Sequence, residues 1–135
     1  MEIQEKKVFE IGEKYYFTDL GLRHAIQRYN HALDINKIIE NMVHNHLVAL
    51  GYSLKVGRQG TKEIDFVCTK GSNIKYIQVA YLISDEKVAE REFGNLLAIK
   101  DNYEKFVISS DDFISGDYSG IKHLHISTFL LDDTF

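Results

Sequence analysis

The segment Lys62-Glu63-Ile64-Asp65-Phe66 holds the clearest prospect of chemistry in this chain. Read as a strand, it projects Glu63 and Asp65 from one face and Ile64 and Phe66 from the other. Two acids side by side in a sheet repel each other and lose hydration. They must therefore meet water, a cation or a basic partner, and a face open to water accounts for the spacing equally well. Gln78 sits in an apolar run, Tyr76-Ile77-Gln78-Val79-Ala80-Tyr81. A buried amide needs hydrogen-bond partners, which strand carboxylates, the backbone or tyrosine hydroxyls can supply. Glu40 offers a third oxygen donor from a helix. If Glu40, Asp65 and Gln78 converge, they make an oxygen-rich point suited to Mg²⁺, which takes oxygen ligands and keeps several waters.

Those side chains meet only if the elements around them pack as an α/β unit. Ile35, Ile38, Ile39, Met42, Val43, Leu47 and Leu50 recur at helical spacing, so a helix is expected from an Asp34 N-cap to a stop at Gly51. It places Glu40 and His44 one turn apart. Three strands follow at 52–56, 62–68 and 74–83, separated by Gly57-Arg58-Gln59-Gly60 and Lys70-Gly71-Ser72-Asn73. The third strand is apolar on both faces: Ile74, Tyr76, Ala80 and Leu82 on one, Ile77, Val79, Tyr81 and Ile83 on the other. Such a strand belongs in the middle of a sheet covered on both sides. A second amphipathic helix is expected over 85–100, capped by Ser84 or Asp85, with Ala89, Phe93, Leu96 and Leu97 as its buried stripe. Strands at 105–109 and 121–126 and a short helix at 127–131 close the chain. The helical step between the third strand and 105–109 requires a parallel pair. The result is a mixed sheet flanked by helices, in the order αβββαβ. Ahead of it, Lys14-Tyr15-Tyr16-Phe17 reads as a short strand and Asp19-Leu20-Gly21-Leu22 as a turn.

Composition narrows the function classes. A chain of 135 residues with 44% hydrophobic and 27% charged residues suits one globular domain. The single cysteine, Cys68, has no intramolecular disulfide partner, which fits a reducing cytosol. No apolar run is long enough to span a membrane, and the N-terminus lacks the pattern of a signal peptide. A net charge of −4 disfavours sequence-blind binding to nucleic acid by bulk charge. Lys55, Arg58, Lys62 and Lys75 could still make a small basic patch around the hairpin tips.

Taken together, a helix acid, an Asp in the second strand and a polar residue in the third resemble the PD-(D/E)XK nuclease core. Closer still is the resemblance to the C-terminal domain of unknown function of prokaryotic AAA-type ATPases. It rests on Lys14-Tyr15-Tyr16-Phe17-Thr18-Asp19-Leu20-Gly21-Leu22-Arg23, Glu40-Asn41-Met42-Val43, Lys62-Glu63-Ile64-Asp65-Phe66-Val67, Tyr76-Ile77-Gln78-Val79-Ala80-Tyr81, Arg91-Glu92-Phe93 and Asp101-Asn102-Tyr103, in that order. The resemblance implies that residues 1–33 are the remnant of a preceding region and 34–135 the nuclease-like domain. By position, Glu40 and Asp65 match the metal-binding acids of that fold. Gln78 stands where a Glu or Asp would be, and Ala80 where the catalytic lysine would be. An amide is a weaker, neutral ligand, and alanine can neither orient a water nor steady developing charge. Lys62 is close in sequence, but alternation points it away from Asp65.

The expected function is therefore a degenerate nuclease-fold domain, serving nucleic-acid or partner recognition beside an upstream ATPase domain in the cytoplasm. Glu63, Tyr81 and Arg91 are candidates for contact with a substrate or partner, Arg91 as the mate of a buried acid or a phosphate. The alternatives are a Mg²⁺-dependent nuclease using Glu40, Asp65 and Gln78 on DNA or RNA, and a protein-interaction or dimerisation domain. The chain itself has no Gly-x-x-x-x-Gly-Lys-Ser/Thr, so no ATP site is expected in it. The remaining acids of the second helix, Glu86, Glu90 and Glu92, read as a wet face. His44 is placed to pair with Glu40 one turn away. His44 and His46 point too far apart on a helix to share an ion, and His123 with His125 lacks a third ligand, leaving surface or interface roles.

Overall fold

The computed structural model describes residues 31–83, 86–112 and 116–135. The expected strand at Lys14–Phe17, the turn after it and the cap at Ser84 or Asp85 lie outside them. Helix α1 spans His31–Ala49, strand β1 Ser53–Gln59, β2 Lys62–Lys70 and β3 Asn73–Ala80. Helix α2 spans Glu86–Leu97 and is followed by β4 (Glu104–Ser109), β5 (Gly116–Tyr118), β6 (Ile121–His125) and α3 (Ile126–Leu130). The six strands form one mixed sheet in the order β1-β2-β3-β4-β6-β5. β1, β2 and β3 are antiparallel neighbours, β3, β4 and β6 are parallel, and β5 returns antiparallel against β6. The α/β class and the αβββαβ order hold, and β5 is an addition.

Burial explains the layering. Ile39, Val43 and Leu47, one turn apart on α1, pack on Phe66, Cys68, Ile77, Phe106 and Ile108, with Ile126 and Phe129 of α3 beside them. On the opposite face, Phe93 and Leu96 of α2 pack on Ile64, Val67, Tyr76, Ala80, Val107 and Ile121. The two greasy faces of β3 thus serve two different helices, as its sequence requires of a central strand. Gly51 ends the first helix with φ 95, a left-handed conformation that costs glycine least. Cys68 is buried, and burial pushes its thiol up to about 12, which makes it an inert core residue. Among the described residues no helix is long and apolar enough to cross a membrane.

Several boundaries differ from the expected ones. Asp34 lies inside α1 rather than capping it, because Ala32 and Leu33 are strong helix formers with no glycine or proline to stop them. The helix runs through the expected junction between residues 33 and 34. β3 ends at Ala80, not Ile83: Tyr81 and Leu82 are exposed, and Ile83 turns into the α2-side core, so alternation stops at residue 80.

The largest departure is in β2. Ile64 belongs to the α2-side core and Phe66 to the α1-side core, although both were expected on one face. Between the rungs Lys55↔Val67 and Gly57↔Ile64, β1 advances two residues while β2 advances three. One extra residue in β2 is a β-bulge, which reverses the faces on its two sides. It falls at Asp65–Phe66.

The tail 131–135 closes over the α1 side. Tyr52 Oη donates to the Phe135 carbonyl at 2.8 Å, Lys75 Nζ donates to the same oxygen, and His46 Nε2 lies 3.0 Å from the Asp132 carbonyl. The Phe135 ring packs edge-on against Phe106 and Phe129, with centroids at 4.8 and 5.0 Å.

Candidate functional site

The bulge opens the sheet. The ladder between β2 and β3 runs from Lys70↔Asn73 to Phe66↔Ile77 and stops there, so the next peptides on both strands lose their cross-strand partners. Side chains take over. Gln78 Oε1 accepts from the Asp65 N–H at 2.7 Å, and Gln78 Nε2 donates to the Glu63 carbonyl at 3.2 Å. A primary amide carries the same donor and acceptor as a peptide, so Gln78 replaces the missing rung. Asp65 returns the favour, its Oδ2 accepting from the Val79 N–H at 2.9 Å. Asn95 Nδ2, from α2, adds a longer contact of 3.5 Å to the Glu63 carbonyl. Gln78 is only 3% exposed, and its partners are backbone groups rather than neighbouring carboxylates.

Where the strands part, a cleft of about 600 Å³ opens, and helices from both faces of the sheet reach it. Asn36 and Glu40 come from α1, one turn apart. Thr61 comes from the turn before β2, Lys62, Glu63 and Asp65 from its start, and Gln78 to Leu82 from the end of β3 and beyond. Val88, Arg91, Glu92 and Asn95 come from one face of α2. The structure thus brings Glu40, Asp65 and Gln78 to one cleft, together with Glu63, Tyr81, Arg91 and Ala80.

Three details change the picture. Glu63 and Asp65 are not a facing pair: Arg58 Nη2 holds Glu63 Oε2 at 3.1 Å toward β1, while Asp65 turns toward β3. Lys62 does line the cleft, from the edge where β2 begins, although the ladder is regular from Lys62 to Ile64 and the bulge lies beyond it at Asp65–Phe66. Glu92 is buried, not on a wet face, and its Oε1 lies 3.3 Å from Arg91 Nη2. The spacing Val88-Arg91-Glu92-Asn95 was the available signal, since it marks one helical face.

Elsewhere, His44 Nδ1 lies 3.1 Å from Asn45 Oδ1, and its ring leans on Phe66. His123 and His125 do not work as a surface pair. His123 is buried with Nε2 2.7 Å from Ser109 Oγ, whereas His125 caps α3 through Ser127 and meets Asp112 at 3.0 Å.

The cleft collects four carboxylates, Glu40, Glu63, Asp65 and Glu92, against two cations, Lys62 and Arg91. Burial raises the Glu92 carboxyl above its ordinary pKa. Arg91 opposes that rise, and the negative charge of Glu40 adds to it. An acid whose folded pKa is raised binds its proton more tightly in the folded state. Its contribution is thus full below the unfolded value and is lost as pH rises through the folded one. Glu92→Gln is therefore expected to raise the melting temperature at neutral pH. The gain should shrink as pH falls through the raised folded value and vanish below the ordinary glutamate value, as thermal denaturation across a pH series would show.

This donor set suits Mg²⁺ poorly. Both polar atoms of Gln78 already serve the β2 backbone, and one oxygen of Asp65 serves Val79. Among the described residues no three His, Cys, Asp or Glu side chains gather closely enough to hold a metal ion.

Comparison with known proteins adds little chemistry. No family model matches this sequence, and no solved structure matches it convincingly. It is 36% identical over 131 residues to a protein of Haemophilus influenzae described as uncharacterized. The aligned part is 96% of this chain and 32% of that protein, so the chain spans about a third of its relative's length.

Proposed function

We propose that this chain is a degenerate PD-(D/E)XK-type domain which recognises a partner in its cleft without cutting nucleic acid. It works in the cytoplasm beside the ATPase domain of an AAA-type parent. The observation that carries this reading is the stitched ladder, in which Gln78 and Asp65 spend their polar atoms on the backbone of each other's strand. A hydrolytic site needs donors that face the substrate, and it needs a base or cation near the attacking water. The lysine position of the nuclease core is Ala80, buried against α2; Arg91 is already engaged with Glu92, and Lys62, the other cation of the lining, stands exposed at the start of β2. The order of helix, three strands, helix and strand supports the fold. The likeness of 14–23, 40–43, 62–67, 76–81, 91–93 and 101–103 to the ATPase family's C-terminal domain supports the setting.

Charge favours a protein over a nucleic acid as the occupant. Four carboxylates facing two cations repel phosphates, and the whole chain carries −4. The test has two arms. The purified chain is incubated with single- and double-stranded DNA and RNA in Mg²⁺ or Mn²⁺, and titrated with the same nucleic acids at low salt; neither cleavage nor tight binding is expected. The parent ATPase domain is expected to bind it, and Glu40→Arg to weaken that binding about ten-fold, as reversal of an interfacial charge does. Metal-dependent cleavage that disappears in Asp65→Ala would overturn the reading. So would salt-sensitive nucleic-acid binding with no affinity for the ATPase domain.

A further inference from the structure

Beyond the last rung of β3 the chain leaves the sheet, and Tyr81 and Leu82 line the cleft. The residues on either side of Leu82 have their backbone anchored. The Tyr81 N–H donates to Asn36 Oδ1 at 2.9 Å, and the Tyr81 carbonyl accepts from the Ser110 N–H at 3.0 Å and the Ser110 hydroxyl at 2.7 Å. The Ile83 N–H donates to Asp111 Oδ2 at 3.1 Å, with both residues buried. Asp111 is fixed in turn, its N–H donating to Ser109 Oγ at 3.1 Å, and Ser109 Oγ lies 2.7 Å from the buried His123 Nε2. Leu82 differs. It is 47% exposed, and among the described residues its N–H and C=O meet no partner. Unpaired backbone groups at the end of a strand are a template for another chain. Because its neighbours are anchored, an occupant need not order this template on binding.

The two helices add amides that are only half used. Asn36 of α1 spends its Oδ1 on Tyr81, and its N–H₂ meets no partner among the described residues. Asn95 of α2 turns its N–H₂ to the Glu63 carbonyl at 3.5 Å, and its Oδ1 meets none. Both line the cleft. Leu82 and the two asparagines thus supply neutral donors and neutral acceptors, the complement of a peptide group. Gln78 already uses its amide in this way on β2. Several charged groups of the lining are spoken for, with Glu63 on Arg58 and Glu92 on Arg91.

We propose that the cleft takes an extended segment of the partner by its main chain, through the peptide groups of Leu82, the Asn36 N–H₂ and the Asn95 oxygen. The exposed side chains of Tyr81 and Leu82 give that segment apolar contact, and the carboxylates of the lining exclude acidic side chains from it. This rests on the cleft being the partner site proposed above, and it names what the site holds.

The test titrates the intact, isotope-labelled chain with a capped, neutral pentapeptide of alanine and serine, followed by nuclear magnetic resonance. A few main-chain hydrogen bonds support roughly millimolar affinity, so the peptide is taken to about 10 mM. The Leu82 amide and the Asn36 side-chain N–H₂ should shift in a saturable way. The same peptide with a methylated backbone keeps its side chains but loses its N–H groups, and should bind at least about ten-fold more weakly. Replacing its serines by glutamates should weaken it too. Asn36→Asp keeps an oxygen for the Tyr81 N–H but removes the N–H₂. It should bind about five-fold more weakly while the Tyr81 amide keeps its exchange rate. Absence of shifts at Leu82 and Asn36 overturns the proposal, as does equal binding of the methylated peptide. The ATPase domain takes no part in this titration, so failure here is separate from failure of the partner reading.

Discussion

Gln78→Leu is expected to destabilise the chain by roughly 2–5 kcal/mol, a large effect for a polar-to-apolar change of similar size. Leucine fills the volume of the buried side chain but offers neither end of the amide. The Asp65 N–H would lose its acceptor at 2.7 Å and the Glu63 carbonyl its closer donor at 3.2 Å, both next to the opened ladder. Each buried orphan costs about 1–3 kcal/mol, and the Asn95 contact recovers a part of that for Glu63. Gln78→Glu separates the two meanings of the residue. If Gln78 were a weakened metal ligand, the carboxylate would improve the site and confer Mg²⁺-dependent cleavage. As a stitch, it should fail, because Glu presents an oxygen to the Glu63 carbonyl where an N–H₂ had been. Chemical denaturation of both variants, with and without Mg²⁺, is the measurement. A Gln78→Glu chain as stable as the parent, and stabilised further by Mg²⁺, would count against the stitch.

Phe93→Ala should cost more still to the cleft, though its side chain lies behind it. Phe93 is 2% exposed, packs in the α2-side core and stacks on Tyr118 with centroids 4.6 Å apart. Removing a buried aromatic ring typically costs about 3–5 kcal/mol through lost transfer energy and the cavity left behind. The helix it secures has only twelve residues and carries Arg91, Glu92 and Asn95 into the cleft. The loss should therefore appear twice: as a lower midpoint in urea and as faster exchange of the α2 amides relative to α1. Equal loosening of both helices would mean that α2 is not held chiefly by this ring.

Most of the frame was legible because its determinants are local. Ile39, Val43 and Leu47 announce a helix by their spacing, Gly51 and Gly71 take positive φ where turns were expected, and the apolar run of β3 required a central place. The bulge in β2 was not legible. Nothing in Lys62-Glu63-Ile64-Asp65-Phe66 marks it, since no glycine is present and both apolar residues are buried, only on opposite faces. A single inserted residue reverses alternation, which is why Ile64 and Phe66 end on opposite faces of the sheet. The convergence of Glu40, Asp65 and Gln78 on one cleft followed from the residue types and the elements that carry them. The use of Asp65 and Gln78 as backbone partners did not, because it depends on where the ladder ends. Glu92 and the Ser109–Asp111–His123 cluster were hidden for a related reason, as burial of a polar residue is set by tertiary packing and leaves no periodic mark.

The tail that closes over the α1 side has a kinetic consequence. His46 meets Asp132 and Tyr52 meets Phe135 across separations of 86 and 83 residues, so these contacts close very long loops. A chain emerging from the ribosome can wind α1 and pair β1 with β2 early. It cannot shield Phe106 and Phe129 with the Phe135 ring until residue 135 has left the exit tunnel. Until then the part of Phe106 and Phe129 that this ring covers stays open to other chains, and this is the stage at which aggregation would compete with folding.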